Sequence, residues 1–363
     1  MNIRLTDTAT LHPLVLPARA DAAASPRFVE YAEVRNRSIR DVTGRADDDM
    51  TVGELLPVLL STPDVTRRQW TISVDDEIVG VATLNIMADG GGNTAISVIS
   101  LLRRVWNRGI GSAVLPRVEA EARAVGVERV LTWIEHPADA HVDALASPTG
   151  FGEIPKDHAA RFLLRHGYTL EQVARVSTLT WSDALVQRIR NLRASAEHTA
   201  TGYRVIQWTL PTPDEHVAGY AWMKEHMSTD IPDAELGMPA EKWDADRVAR
   251  HDDRYIQRGT TVLVTAAQHI ATGELCAYNE LSIGGDPASV SHQEDTLVLG
   301  SHRGHRLGML VKSAGLFTWH EQHPESPSVI TYNAEENRPM LDINEAIGFT
   351  PIAYEGAWKK QLA

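Results

Sequence analysis

The 363-residue chain is 43% hydrophobic and 23% charged, carries a formal net charge of −13 at pH 7, and has one cysteine, Cys276. Two domains of ordinary size fit this length, the acidic balance argues against a nucleic-acid binder, and a single thiol excludes an internal disulfide and a cysteine zinc site. No run of about 18 apolar residues is present, so no membrane span is expected. Residues 1–7 lack the apolar core of a signal peptide, and a reducing cytoplasm is the expected location.

Taken in chain order, residues 69–74 read as a strand, 75–77 as a turn and 78–84 as the returning strand. Asp89 to Asn93 breaks the chain, and a β-branched strand over 94–101 follows. It leads through a basic, glycine-containing loop (Leu101 to Gly111) into a helix marked by Val114, Val118, Ala122 and Val125, with Gly126 as its stop. Pro116 is expected in the first turn of that helix, because deeper in it would cost a backbone bond. Residues 127–134 read as a buried strand, and Ala159 to His166 as a short helix closed by Gly167-Tyr168. Ser182 to Glu197 is a connecting helix with Leu185, Ile189 and Leu192 on one face, and 196–202 is the best linker.

The second half repeats the order. Residues 261–266 and 274–282 read as a hairpin, 284–287 as a break and 295–299 as the strand entering a second basic loop, Val298 to Gly308. Leu310, Ala314 and Phe317 mark the next helix face; 329–332 is a strand, and Arg338 to Ala346 a helix closed by Ile347-Gly348-Phe349. Gly111 and Gly308 lie 308 − 111 = 197 residues apart. The shared order predicts two related domains, over residues 1–182 and 203–363, joined by 183–202.

Each loop precedes a helix, where backbone N–H groups and the helix dipole form a nest suited to a pyrophosphate. Neither copy has the Gly-Lys-Ser/Thr of a nucleotide-hydrolysing loop, and the glycines follow a third strand rather than the first strand of a dinucleotide-binding unit. His302 and His305 stand three apart with no cysteine partner and no nearby carboxylate set, so no metal is expected.

With its strand, Arg/Gln-x-x-Gly-x-Gly/Ala loop, helix, strand and short helix ending in Gly-Phe or Gly-Tyr, each half resembles the GCN5-related N-acetyltransferase (GNAT) superfamily. Trp106 to Gly111 and Arg303 to Gly308 hold the loop position; Phe162 to Tyr168 and Met340 to Phe349 hold the last. The tandem arrangement is similar to actinobacterial, mycothiol-synthase-like acetyltransferases. The resemblance implies an α/β (α+β) fold of two such domains, each a mixed, mostly antiparallel sheet flanked by helices. It also implies acetyl-CoA as cofactor and direct attack of a small-molecule amine on the thioester. Both copies depart from the pattern: Trp106 replaces Arg/Gln, and Arg306 replaces the first glycine, which is tolerable there only at φ < 0.

On this resemblance CoA is expected at Leu297, Val298, Leu299, Arg303, Gly304, His305, Arg306, Leu307 and Gly308, with Asn333, Asn337 and Asn344 as further contacts. The first-half equivalents are Leu101, Asn107, Arg108, Gly109, Ile110, Gly111 and Ser112. Val298, with Leu101 as counterpart, is expected to face the thioester. Glu280 is the candidate base, with Asp295 second; Tyr332 or Tyr354 replaces the family's tyrosine acid, whose positions hold Leu163 and Asn344. The second half is therefore expected to be catalytic and the first degenerate. The competing reading is an acyl-CoA-binding sensor or scaffold without turnover.

Overall fold

The computed structural model describes residues 2–19, 23–137 and 143–362. The chain divides into two compact units that do not follow one cut near residue 200. The first comprises residues 1–173, 234–239 and 354–363; the second comprises 174–233 and 240–353. The boundaries at 173/174 and 353/354 each fall inside a strand.

In the first unit, β1 (Ile3–Arg4) and β2 (Ala9–Pro13) precede α1 (Pro26–Thr43) and α2 (Val52–Leu59). Ser25 caps α1 ahead of Pro26, and Gly44 closes it at φ 70°. Then come β3 (Val65–Val74), β4 (Glu77–Met87), β5 (Thr94–Leu101), α3 (Ile110–Arg123) and β6 (Arg129–Pro137). A small ribbon of β7 (Ala144–Ala146) and β8 (Glu153–Pro155) is followed by α4 (His158–Arg165) and β9 (Thr169–Thr180). Pro116 lies inside α3 and not in its first turn. The helix begins directly at the loop glycine, and the proline sits on its exposed side.

The second unit contains α5 (Asp183–Thr199), β10 (Tyr203–Thr209), α6 (Asp214–Asp230), α7 (Ala245–Gln257), β11 (Thr261–His269), β12 (Leu275–Ile283) and β13 (Ser291–Val298). It continues through α8 (Leu307–Gln322), β14 (Ser328–Ala334) and α9 (Arg338–Ile347) into β15 (Thr350–Gln361). Residues 169–173 of β9 and 354–361 of β15 belong to the first unit, whose sheet runs β1-β2-β3-β4-β5-β6-β15-β9. Residues 174–180 and 350–353 belong to the second, where β9 leads into β14-β13-β12-β11-β10.

Strand alternation fixes what each face of the second unit carries. One face packs Leu281, Leu310, Leu316 and Trp319 with α5, α8 and α9. The other packs Trp208, Tyr220, Met223 and Tyr278 with α6 and α7. Asn279 points toward Gly315 of α8, where a Cβ would come within 3.1 Å of its side-chain oxygen, so Glu280 points toward α6. In the first unit, Phe28, Trp70, Ile72, Val114 and Val118 form the main core. Leu236 of the 234–239 segment joins Leu131 and Ala357 in a smaller one.

Candidate active site

The parallel ladders that end each core sheet are short. β5 pairs with β6 only over Thr94–Ile96 against Arg129–Leu131, yet runs on to Leu101. β13 pairs with β14 only over Ser291–Gln293 against Val329–Thr331, yet runs on to Val298. Thr94 and Ser291 are separated by 291 − 94 = 197 residues, the same offset as the loop glycines. In both units two parallel strands therefore part over their last residues. Leu299 N donates to Cys276 O at 3.0 Å, and Leu102 N to Val79 O at 2.9 Å. Backbone donors alternate along a strand, so the N–H groups of Val298 and Leu101 are turned to the opened edge.

Each opened edge leads to a helix N-terminus with no side-chain cap, Gly109 ahead of α3 and Arg306 ahead of α8. Gly109 has φ 78°, Asn107 φ 59° and Gly304 φ 87°, and a Cβ at Gly109 or Gly304 would meet nothing within 4 Å. Gly111 and Gly308 have a different reason to be glycine. A Cβ would come within 3.2 Å of the Phe162 ring at the first and 2.9 Å of Ile343 at the second. Uncapped helix donors beside open glycine backbone fit an anionic pyrophosphate in both units.

Arg306 corrects the sequence expectation of φ < 0. It takes the left-handed conformation, φ 58° and ψ 23°, in the place of Gly109. That basin is accessible to a side chain at a cost of about 1–2 kcal/mol. Its guanidinium is bonded to Ser195 of α5 at 2.9 Å. Leu307 and Ile110 are buried and anchor their helices, whereas Arg303, His305 and Arg108 are exposed. Ser112 Oγ pairs with His166 Nε2 at 2.9 Å.

Before the loop of the second unit, three elements (α6, β12 and β13) converge on a buried polar network. Asn279 pairs with Thr296 and Leu281 with Gln293, so Glu280 sits at an irregularity of the ladder, opposite the Glu294–Asp295 stretch. Lys224 on α6 donates to Glu280 Oε2 at 3.0 Å and to Asp295 Oδ2 at 2.8 Å. Tyr220, one helical turn earlier, donates to Glu280 Oε1, and Tyr278 donates to Asp295 Oδ2 at 3.2 Å. Burial pushes the Glu280 carboxyl up to about 7, with Lys224 opposing and Asp295 adding to the rise. Burial also works against charge on Asp295, but the Lys224 ammonium and the Tyr278 hydroxyl hold it below the usual carboxylate range. Lys224, although buried, is held above its ordinary value by the two acids. One ammonium thus serves two carboxylates, and Glu280 is the one whose proton is exchangeable near neutrality.

The acetyltransferase (GNAT) family model matches residues 44–151. A tandem GNAT protein from the clavulanic acid biosynthesis pathway is similar over 97% of this chain and 98% of its own, with 21% identity and a TM-score of 0.73. This chain has a tandem GNAT fold. A GCN5-related N-acetyltransferase from Sphaerobacter thermophilus also matches, over 99% of this chain and 97% of its own, with 12% identity and a TM-score of 0.62. No curated protein matches. The fold is one that supports acyl transfer.

Within the second GNAT unit, two of the three expected asparagines, Asn344 and Asn333, form a chain of their own. Lys312 of α8, fully buried, donates to Asn344 Oδ1 at 2.7 Å, and Asn344 Nδ2 donates to Asn333 Oδ1 at 2.6 Å. Burial alone pulls the Lys312 amine down to about 7. Asn337 stands at the N-cap of α9, but its side chain makes no cap bond. Tyr332 packs with Val176 and Ile330. Tyr354 belongs to the first unit, packed against its main core, and so lies outside the unit that holds Glu280.

The first GNAT unit repeats the frame without this chemistry. At the 197-residue offset, Thr83 and Val98 stand where Glu280 and Asp295 do, and Leu115 where Lys312 does. Leu163 holds the place of Asn344 and is buried. The unit has a different acid group. Arg45 binds Glu135 through two bonds of 2.8 Å. Burial, with Glu135 and Asp48 nearby, pushes Glu355 up to about 8.

Lys224, Tyr220 and Lys312 escaped the sequence reading. Their signals were present: Tyr220 and Lys224 stand at i, i+4 on one helix face, and Lys312 interrupts the apolar run Leu307 to Leu316.

Proposed function

We propose that this protein is an acetyl-CoA-dependent N-acetyltransferase acting on a primary amine of a small molecule, with the second unit as the catalytic one. The observation that carries this reading is the Glu280–Lys224–Asp295 network between β12, α6 and β13, the strand that enters the Val298–Gly308 loop. Acetyl-CoA, when bound, supplies the activated acetyl group. The uncapped donors at the start of α8, with Arg303 and His305, hold its phosphates, and the Val298 N–H polarises the carbonyl that is attacked. Glu280 accepts the proton of the incoming ammonium through water. Both its oxygens already accept a bond, yet each keeps a second lone pair. Lys224 orients Glu280 and keeps Asp295 ionised. The first unit supports the fold and keeps its own nest.

The test is CoA release measured over a panel of amines, with the wild type beside Glu280→Gln. A loss of about 10²–10⁴-fold in kcat for the variant is the outcome expected of a general base. Turnover untouched by the substitution removes Glu280 from that role. Tight CoA binding with no turnover on any amine favours the sensor or scaffold reading, which draws on one specific observation: both carboxylates are already paired inside the protein.

A further inference from the structure

Glu274, Cys276 and His302 converge beside the second loop. Each offers one ligand atom, and these atoms lie within 4.8 Å of one another; among the described residues no other such group of three forms. His302 Nε2 is 3.6 Å from Glu274 Oε2. His302 Nδ1 pairs with the Tyr203 hydroxyl at 2.8 Å, the orienting bond that a ligating imidazole uses on its far nitrogen. Cys276 reaches this corner because β12 is irregular there. Ala267 pairs with Ala277 and Gln268 with Leu275, so Cys276 is the extra residue of a bulge, which re-aims its side chain.

The first unit shows that the fold does not require this chemistry. Its β4 has the same irregularity, with Ile72 paired to Gly80 and Ser73 to Ile78. The residues at the 197-residue offset are Glu77, Val79 and Val105, and both valines are buried in the apolar core. Glu77 is neutralised there by Arg104, whose counterpart in the second unit is Ser301. The second unit has thus exchanged two core valines for a thiol and an imidazole, and has lost the arginine that balanced the acid.

We propose that Glu274, Cys276 and His302 bind one Zn2+. A sulfur, nitrogen and oxygen donor set suits this borderline-soft ion, and tetrahedral coordination places neighbouring donors roughly 3.3–3.7 Å apart. The imidazole and carboxylate already have that spacing, so closure needs a rotation of the Cys276 side chain. The carboxylate and the thiolate balance the ion's charge, as Arg104 balances Glu77 in the first unit. Cys276 loses its proton to solvent on binding, and water takes the fourth position. The exposed His305, whose ring lies 5.3 Å from that of Tyr203, is a further donor close to the site. The ion would tie the start of β12 to the turn before Arg303, at the base of the phosphate loop.

The experiment is calorimetric titration of metal-free full-length protein with Zn2+, together with Co2+ absorption spectra, in wild type, Cys276→Val, His302→Gln and Glu274→Gln. Expected results are one equivalent bound, a thiolate-to-Co2+ charge-transfer band, and at least tenfold weaker binding in each variant. Cys276→Val carries the first unit's residue, and circular dichroism establishes that it folds. A Zn2+-dependent rise in Tm should be present in the wild type and absent from Cys276→Val. No uptake by the wild type, a Co2+ complex without the thiolate band, or affinity unchanged by Cys276→Val and His302→Gln overturns the proposal. None of these readouts depends on acyl transfer.

Discussion

Trp106 and Arg303 make the same bond in different units. The Trp106 indole N–H donates to Leu101 O at 2.7 Å, and Arg303 Nε reaches Val298 O at 3.5 Å. An aromatic residue has taken over the arginine's task of pinning the loop to the end of its strand. It adds a stack on His158, with ring centroids 3.8 Å apart. Trp106→Phe keeps an aromatic ring but removes the donor. The expected cost is about 1 kcal/mol, read as a lower urea midpoint for the first unit. An unchanged midpoint would show that the indole bond contributes nothing.

Lys224 is the charge on which the second unit's network depends. Lys224→Met leaves Glu280 buried beside a second carboxylate with no ammonium, a change that typically costs about 3–5 kcal/mol. Lys224→Met combined with Glu280→Gln should recover part of that loss, since one of the two buried carboxylates left without an ammonium is then removed. Equilibrium urea unfolding of the two variants measures the difference. If the double variant is no more stable than the single one, the network is held by packing and not by charge.

The frame was legible because duplication writes it twice. The strand, loop and helix around Gly111 and Gly308 stand out through local glycine and β-branched signals, and the offset between the copies is kept. The division of β9 and β15 between the units was not legible, because partner choice is a long-range property that strand patterning does not encode. Glu280 and Asp295 were visible as acids on strands. Their lysine was hidden in α6, where a buried charge looks like a solvated one until the sheet beneath it is known. Cys276 and His302 are 26 residues apart in sequence, and their approach to Glu274 is a product of folding that spacing does not encode.

Glu280 gives the reaction a pH signature. Its folded-state value lies near 7 against an ordinary 4.5, so the proton is bound more tightly in the native protein. The stability this contributes is full below about 4.5 and is lost as pH rises through 7. Activity runs in the opposite direction, because the base must be ionised. The plot of log kcat/KM should rise with a slope near one up to about pH 7 and then level off. Glu280→Gln should abolish that limb and flatten the stability profile between the two values. A wild-type limb that persists in the variant assigns the titration to another group.

Lys312 makes the reverse prediction. It is fully buried, its amine donates to Asn344, and burial brings its value from 10.5 to about 7. The unfolded chain takes up a proton at this position below about 10.5, whereas the native protein does so only below about 7. Stability should therefore fall as pH drops from 10.5 to 7 and then level off. The gap corresponds to roughly 5 kcal/mol as an upper bound. Lys312→Met removes the titrating amine and keeps most of the volume, and the first unit already tolerates Leu115 at the matching place. The variant should be the more stable protein at pH 7, with no slope between pH 7 and 10.5. Urea midpoints across that range test both statements. A variant less stable than wild type at pH 7 would mean that the Lys312–Asn344–Asn333 chain contributes more than the buried amine costs.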